Sequence, residues 1–155
     1  MQAEERLQEL QIELPPPPKA IGVYKPAVFH GDLCYTSGHG PLKNDGTLIT
    51  GVVGKDFTKE EGYKAARQTG LAILATLKKE LGSLNHIKRV IKIFGMVQCT
   101  PDFDQHPAVI NGCSELFKEL FGADLGVGAR SAVGMNSLPV GMMVEIEAIF
   151  EVEKK

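Results

Sequence analysis

Two side chains near the C-terminus have the chemistry to hold an anion and to move a proton. Arg130 and Glu145 stand on either side of Leu138-Pro139-Val140-Gly141, where Pro and Gly supply a turn. Beyond the turn, Val144, Ile146, Ala148, Phe150 and Val152 alternate with Glu145, Glu147, Ile149 and Glu151, the period-two mark of a strand with one buried face. Before it, Arg130 falls on the face opposite Ser131 and Val133. If the two strands pair, Arg130 and Glu145 come close; their register is not fixed by the sequence. Such a pair is either a surface ion pair, which contributes little, or an anion clamp and a proton carrier in one pocket. A guanidinium grips a carboxylate with a planar fork that a lysine lacks.

Other reactive residue types form no pattern. The four histidines, His30, His39, His86 and His106, have no metal-ligand spacing, and no metal or other cofactor is called for. His39 follows Ser37-Gly38 at a strand break. It reads either as a donor or acid–base group in a site or as an ordinary hydrogen-bonded residue. The other three carry no role. Cys34, Cys99 and Cys113 fit neither a disulfide framework nor a Cys-x-x-Cys site, and read as buried thiols. Ser131 has no recognisable His-Asp set, so no nucleophile is assigned.

The elements that must position these groups can be read in order. Residues 1–18 form an appendage. Leu7, Leu10 and Leu14 recur at helical spacing over residues 2–14, and Pro15-Pro16-Pro17-Pro18 stops the helix as a stiff spacer. Residues 19–155 are one domain. Val28-Phe29-His30 and Leu33-Cys34-Tyr35-Thr36 flank Gly31-Asp32 as a hairpin, and Thr47–Val53 can return as a strand after Asn44-Asp45-Gly46. Thr58 and Glu61 have capping-box spacing, and a stripe from Tyr63 to Leu81 runs to Gly82 as the left-handed cap. Residues 87–99 read as a central strand, and Pro107–Phe121 as a second long helix closed by Gly122. The order predicts an α+β fold, one mixed sheet with two helices on one face. An apolar row on each side of the central strand then predicts that the open face is covered by self-association.

Composition narrows the classes. The chain has 155 residues, 43% hydrophobic and 23% charged, with a net charge of −2. No basic face recommends nucleic acid, no apolar run approaches a membrane span, and the N-terminus lacks a signal core. A cytosolic protein is the expectation.

The motifs, taken together, resemble one family. Gly128-Ala129-Arg130-Ser131-Ala132-Val133, Leu138-Pro139 and Val144-Glu145-Ile146-Glu147-Ala148-Ile149 resemble the C-terminal signature of the reactive-intermediate deaminase (Rid, or YjgF-type) family. Gly22-Val23-Tyr24-Lys25-Pro26-Ala27-Val28 is similar to its Gly-Pro-Tyr-Ser-x-Ala-Val segment, and Tyr35-Thr36-Ser37-Gly38-His39 to its Ser-Gly-Gln segment. Asp102-Phe103 and Val109-Ile110-Asn111 match its strand-to-helix region. The resemblance spans roughly residues 20–152. It implies a chorismate-mutase-like fold, a homotrimer and ligand sites between subunits. For the best-known members it implies hydrolysis of reactive 2-aminoacrylate-like enamines and imines to 2-keto acids and ammonia. On that frame Arg130 anchors the carboxylate, Glu145 handles water and protons, and Tyr24, Gly38, His39 and Asn111 line the substrate. The chain reads as a divergent branch. Ala132 stands where the family has Cys, His39 where it has Gln, and the N-terminus is extended. The alternative is a non-catalytic protein that binds small carboxylates or keto acids in the same cleft. A ribonuclease label attached to some members is opposed by the acidic balance and the absence of Trp.

Overall fold

The structure, a computed structural model, describes residues 2–153. The chain runs α1 (Ala3–Glu9), β1 (Ala27–His30), β2 (Leu33–Thr36), α2 (Lys59–Leu81), β3 (Ile87–Gln98), α3 (His106–Phe121), β4 (Ala129–Met135) and β5 (Val144–Val152). Single 3₁₀ turns at Leu84–His86 and Pro139–Gly141 precede β3 and β5. The sheet order is β1-β2-β5-β3-β4, mixed because β3 and β4 run parallel and every other pair antiparallel. This is an α+β fold with a five-stranded sheet. Helix α3 lies on β3 and β4, and α2 lies against α3 and β5.

The local signals explain most of this. The β1–β2 hairpin turns at Gly31, whose φ of 58° is left-handed. Thr58 Oγ1 accepts from the Glu61 N–H while the Glu61 carboxylate accepts from the Thr58 N–H, and Gly82 ends α2 with φ 81°. On β5 the alternation holds: Val144, Ile146, Ala148, Phe150 and Val152 are all buried. Phe150 meets Phe117 of α3 edge to face, with ring centroids 5.6 Å apart. On β3, register irregularities between Ile87 and Arg89 and between Val90 and Lys92 interrupt the period. Val90, Ile93 and Val97 therefore share the buried side, while Phe94 and Met96 are only partly buried.

Three expectations change. The helix expected over residues 2–14 is shorter. Gln11 takes φ 54°, Ile12 N–H donates to Leu7 O and Gln11 N–H to Gln8 O, a Schellman exit that stops α1 early. Leu10, Ile12 and Leu14 still pack on the core, from the cap of α1 and the chain beyond it. Thr47–Val53 is no strand and makes only isolated bridges: Gly51, at positive φ, breaks the run, and Gly46 and Gly54, also at positive φ, bound it. Finally, β4 and β5 do not pair with one another. β3 lies between them, so the turn at residues 138–141 is a crossover and not a hairpin.

Candidate active site

The insertion of β3 decides where Arg130 and Glu145 go. Arg130 is opposite Ile93, and Ile93 is opposite Ala148, so Arg130 points to the helix-covered side. Glu145 is opposite Met96, and Met96 opposite Val133, on the other side. Within one chain the two side chains lie on opposite faces of the sheet, and the pairing considered from sequence is not made.

Arg130 sits on the edge strand β4 beneath α3. Its Nη1 donates to Asn111 Oδ1 at 2.7 Å and to Ser114 Oγ at 3.1 Å. Those two residues are three apart on α3 and so share a face. Both acceptors are neutral, and among the described residues no carboxylate pairs with Arg130. The guanidinium is thus oriented by neutral groups, and among the described residues its other N–H donors have no partner. Below it, Cys113 is 0% exposed and packs in the core, and that burial pushes its thiol far up, with Arg130 pulling the other way.

Glu145 belongs to a cavity of about 500 Å³ on the opposite face. Its walls include Tyr24, Gly38, His39, Met142 and the segment 18–21, which begins with the last proline of the polyproline run. A Cβ at position 38 would lie 2.5 Å from Glu145 Oε2, so Gly38 is what lets the carboxylate lie against the backbone. Glu145 is partly buried and has no hydrogen-bond or ion-pair partner among the described residues. Burial, and then the charge of Glu147, raise its pKa above the usual carboxylate value. Tyr24 is 46% exposed at the cavity mouth, and its hydroxyl accepts from Ile21 N–H at 3.5 Å, which leaves its own O–H free to donate.

His39 has a different position from the one a site donor would need. It is 4% exposed. Its Nδ1 is 2.7 Å from Ser37 O, and a carbonyl can only accept, so Nδ1 carries the proton. Nε2 is then the acceptor for Thr76 O–H at 2.8 Å. Burial lowers its pKa, so the neutral ring is the stable form. Its backbone also exchanges hydrogen bonds with Ile146. The ring ties the residue 37–40 loop to α2 with both nitrogens engaged, and the His39 backbone ties the loop to β5.

The comparisons with known proteins follow the same outline. The family model described as "YjgF/chorismate_mutase-like, putative endoribonuclease" matches residues 4–149. The chain belongs to this YjgF-type family. It is 37% identical over 145 residues to Protein TCP17 of Trypanosoma cruzi, covering 94% of this chain and 91% of that one. Among solved structures, Atu1372 from Agrobacterium tumefaciens is 40% identical with a TM-score of 0.89, covering 97% of this chain and 92% of that one. A "putative endoribonuclease" from Shewanella oneidensis is 31% identical with a TM-score of 0.93, covering 98% of this chain and all of that one.

In this YjgF-type chain, the residues named from sequence fall into two groups: Arg130 with Asn111, and Glu145 with Tyr24, Gly38 and His39. Sequence reading missed Ser114, although its three-residue spacing from Asn111 was a readable signal. It also missed Gln98. That buried side chain donates to Gly51 O and Gly141 O and accepts from Leu138 N–H, holding together the loops beside the cavity. A glutamine at a strand end carries no sequence signal for such a role.

Proposed function

We propose that this protein hydrolyses small enamines or imines bearing a carboxylate, releasing a 2-keto acid and ammonia, at sites completed between copies of the chain. The observation that carries this is the Arg130 guanidinium, aimed by two neutral oxygens and lacking a carboxylate of its own. In this reading Arg130 binds the substrate carboxylate. Glu145, which holds a proton more readily than an ordinary glutamate, delivers it to the enamine carbon. The resulting iminium takes up water at the electrophilic carbon. The carboxylate accepts a proton from that water and passes it to the amine nitrogen; collapse of the adduct then expels ammonia as the carboxylate takes the hydroxyl proton. Tyr24 and Asn111 orient the substrate, and Gly38 gives the carboxylate its close seat.

Arg130 and Glu145 lie on opposite faces of one sheet, so a site using both needs a second copy. Half-exposed Val28 and Tyr35 and partly buried Phe94, Met96, Val133 and Ile149 give the open face the apolar character for self-association, here read as a homotrimer. Among the described residues no helix is long and apolar enough to cross a membrane. A cytosolic setting would suit this substrate class.

The test is release of keto acid from 2-aminoacrylate generated in solution. An Arg130→Ala rate equal to that of the parent sinks the proposal. A second reading, a binder of small carboxylates without turnover, is favoured by Ala132 beside Arg130 and by the full engagement of His39. Thermal stabilisation by a keto acid with no product formed would select it.

A further inference from the structure

A second cavity, of about 300 Å³, opens where β3 ends and α3 begins. Cys99 follows the last residue of β3, and His106 is the first of α3. Cys99 Sγ lies 3.4 Å from His106 Nε2, within hydrogen-bond distance for sulfur. Phe103 meets the imidazole edge to face, centroids 5.4 Å apart, and fixes its plane. On β4, Gly134 leaves room for the pair: a Cβ there would lie 2.6 Å from Nε2 and 2.8 Å from Sγ. Thr100, in the same wall, has a buried hydroxyl with no partner among the described residues.

One thiol of the three stands apart in exposure. Cys34 and Cys113 are both 0% exposed, whereas Cys99 is partly exposed, against the expectation that all three are buried. Gly134 lies four residues beyond Arg130, about 13 Å along an extended strand. A three-carbon acid held on Arg130 does not reach the pair, so its chemistry is separate from the reaction proposed above.

We propose that Cys99 is a nucleophilic thiol with His106 as its base, and that this cavity captures small α,β-unsaturated carbonyl compounds as thioethers. Burial pushes the Cys99 thiol up, so the resting group is S–H and the proton must leave as the bond forms. Sulfur attacks the β-carbon while His106 Nε2 takes the thiol proton. The C=C pair moves to the α-carbon as an enolate, which then recovers a proton from the imidazolium. The sum is addition of S–H across C=C. The ring returns to its neutral form, and no oxidant or reductant is consumed.

Acrylamide at pH 7, followed by peptide mapping, tests this in the full-length protein. Cys99 should be alkylated faster than glutathione in the same solution, with Cys34 and Cys113 untouched. His106→Gln should slow Cys99 at least tenfold while those two stay protected, which shows that the fold is intact. Equal rates in parent and variant overturn the proposal. If the variant exposes Cys34 and Cys113, the parent decides alone: a Cys99 no faster than glutathione overturns it, and a faster one supports it.

Discussion

The two halves of the candidate site treat a charged side chain in opposite ways. At the β4–α3 corner, the Arg130 guanidinium is aimed by neutral oxygens and has no carboxylate partner among the described residues. Over Gly38, Glu145 has neither donor nor cation among the described residues and is partly withdrawn from water, which favours the protonated form. An anion receptor needs a fixed charge and a fixed direction. A proton carrier needs the freedom to change charge near neutral pH. On the function proposed above, one sheet carries both, on its two sides.

The sharpest way to break this comparison is to separate the halves genetically. Arg130→Ala should lower kcat/KM at least about a hundredfold, since a charge-assisted bidentate contact is worth about 3 kcal/mol. Glu145→Gln should cost about 10²–10⁴-fold in kcat with little change in KM, as loss of an acid–base group does. Each variant alone is then nearly inactive. Mixed one to one, unfolded and refolded together, they should recover activity. If each site takes Arg130 from one copy and Glu145 from another, random assembly leaves about a quarter of the sites intact. No recovery would show that the two residues do not act in a shared intersubunit site.

Stability should answer to His39 and not to Arg130. His39→Ala strips a buried partner from Ser37 O and from Thr76 Oγ1, and a loss of about 1–3 kcal/mol follows by denaturant titration. The pH dependence has a definite sign. The folded pKa is lowered, so the contribution is complete above the unfolded value and is lost as pH falls below it. A parent protein whose stability did not decline on acidification through the ordinary histidine range, relative to His39→Gln, would refute this.

How much of this could be read beforehand depends on the range of the signal. The α2 cap, the β1–β2 hairpin and the β5 alternation are local, and each was legible in a few consecutive residues. The parting of Arg130 and Glu145 was not, because it rests on β3 entering between two strands that are neighbours in sequence. His39 shows a second limit. Its place after Ser37-Gly38 suggested a site, and the sequence could not show that Thr76, on a distant helix, would claim Nε2. Cys99 and His106 failed for the opposite reason. Seven positions apart across a strand-to-helix turn, they match no short motif, and only the missing side chain of Gly134 lets them meet.

Gly38→Ala sharpens the contrast at lower cost. The new methyl would press on the far end of a flexible Glu145 side chain and not on backbone, so the melting point should hardly move. Activity should drop about tenfold, because a small displacement of a catalytic group is felt strongly in rate. An unchanged rate would mean that the seat of Glu145 against residue 38 is incidental.

The smallest effect is on the carboxyl itself. A glutamate whose folded pKa is raised adds stability below its unfolded pKa and loses that contribution as pH rises through the folded value. Glu145→Gln, which cannot ionise, should therefore melt slightly above the parent at pH 7 and level with it once Glu145 is protonated in the folded and unfolded chain alike. Melting curves between pH 4 and pH 8 resolve the crossover. If instead the variant melts lower at pH 7, the ionised Glu145 has a stabilising partner, and the contrast with Arg130 is lost.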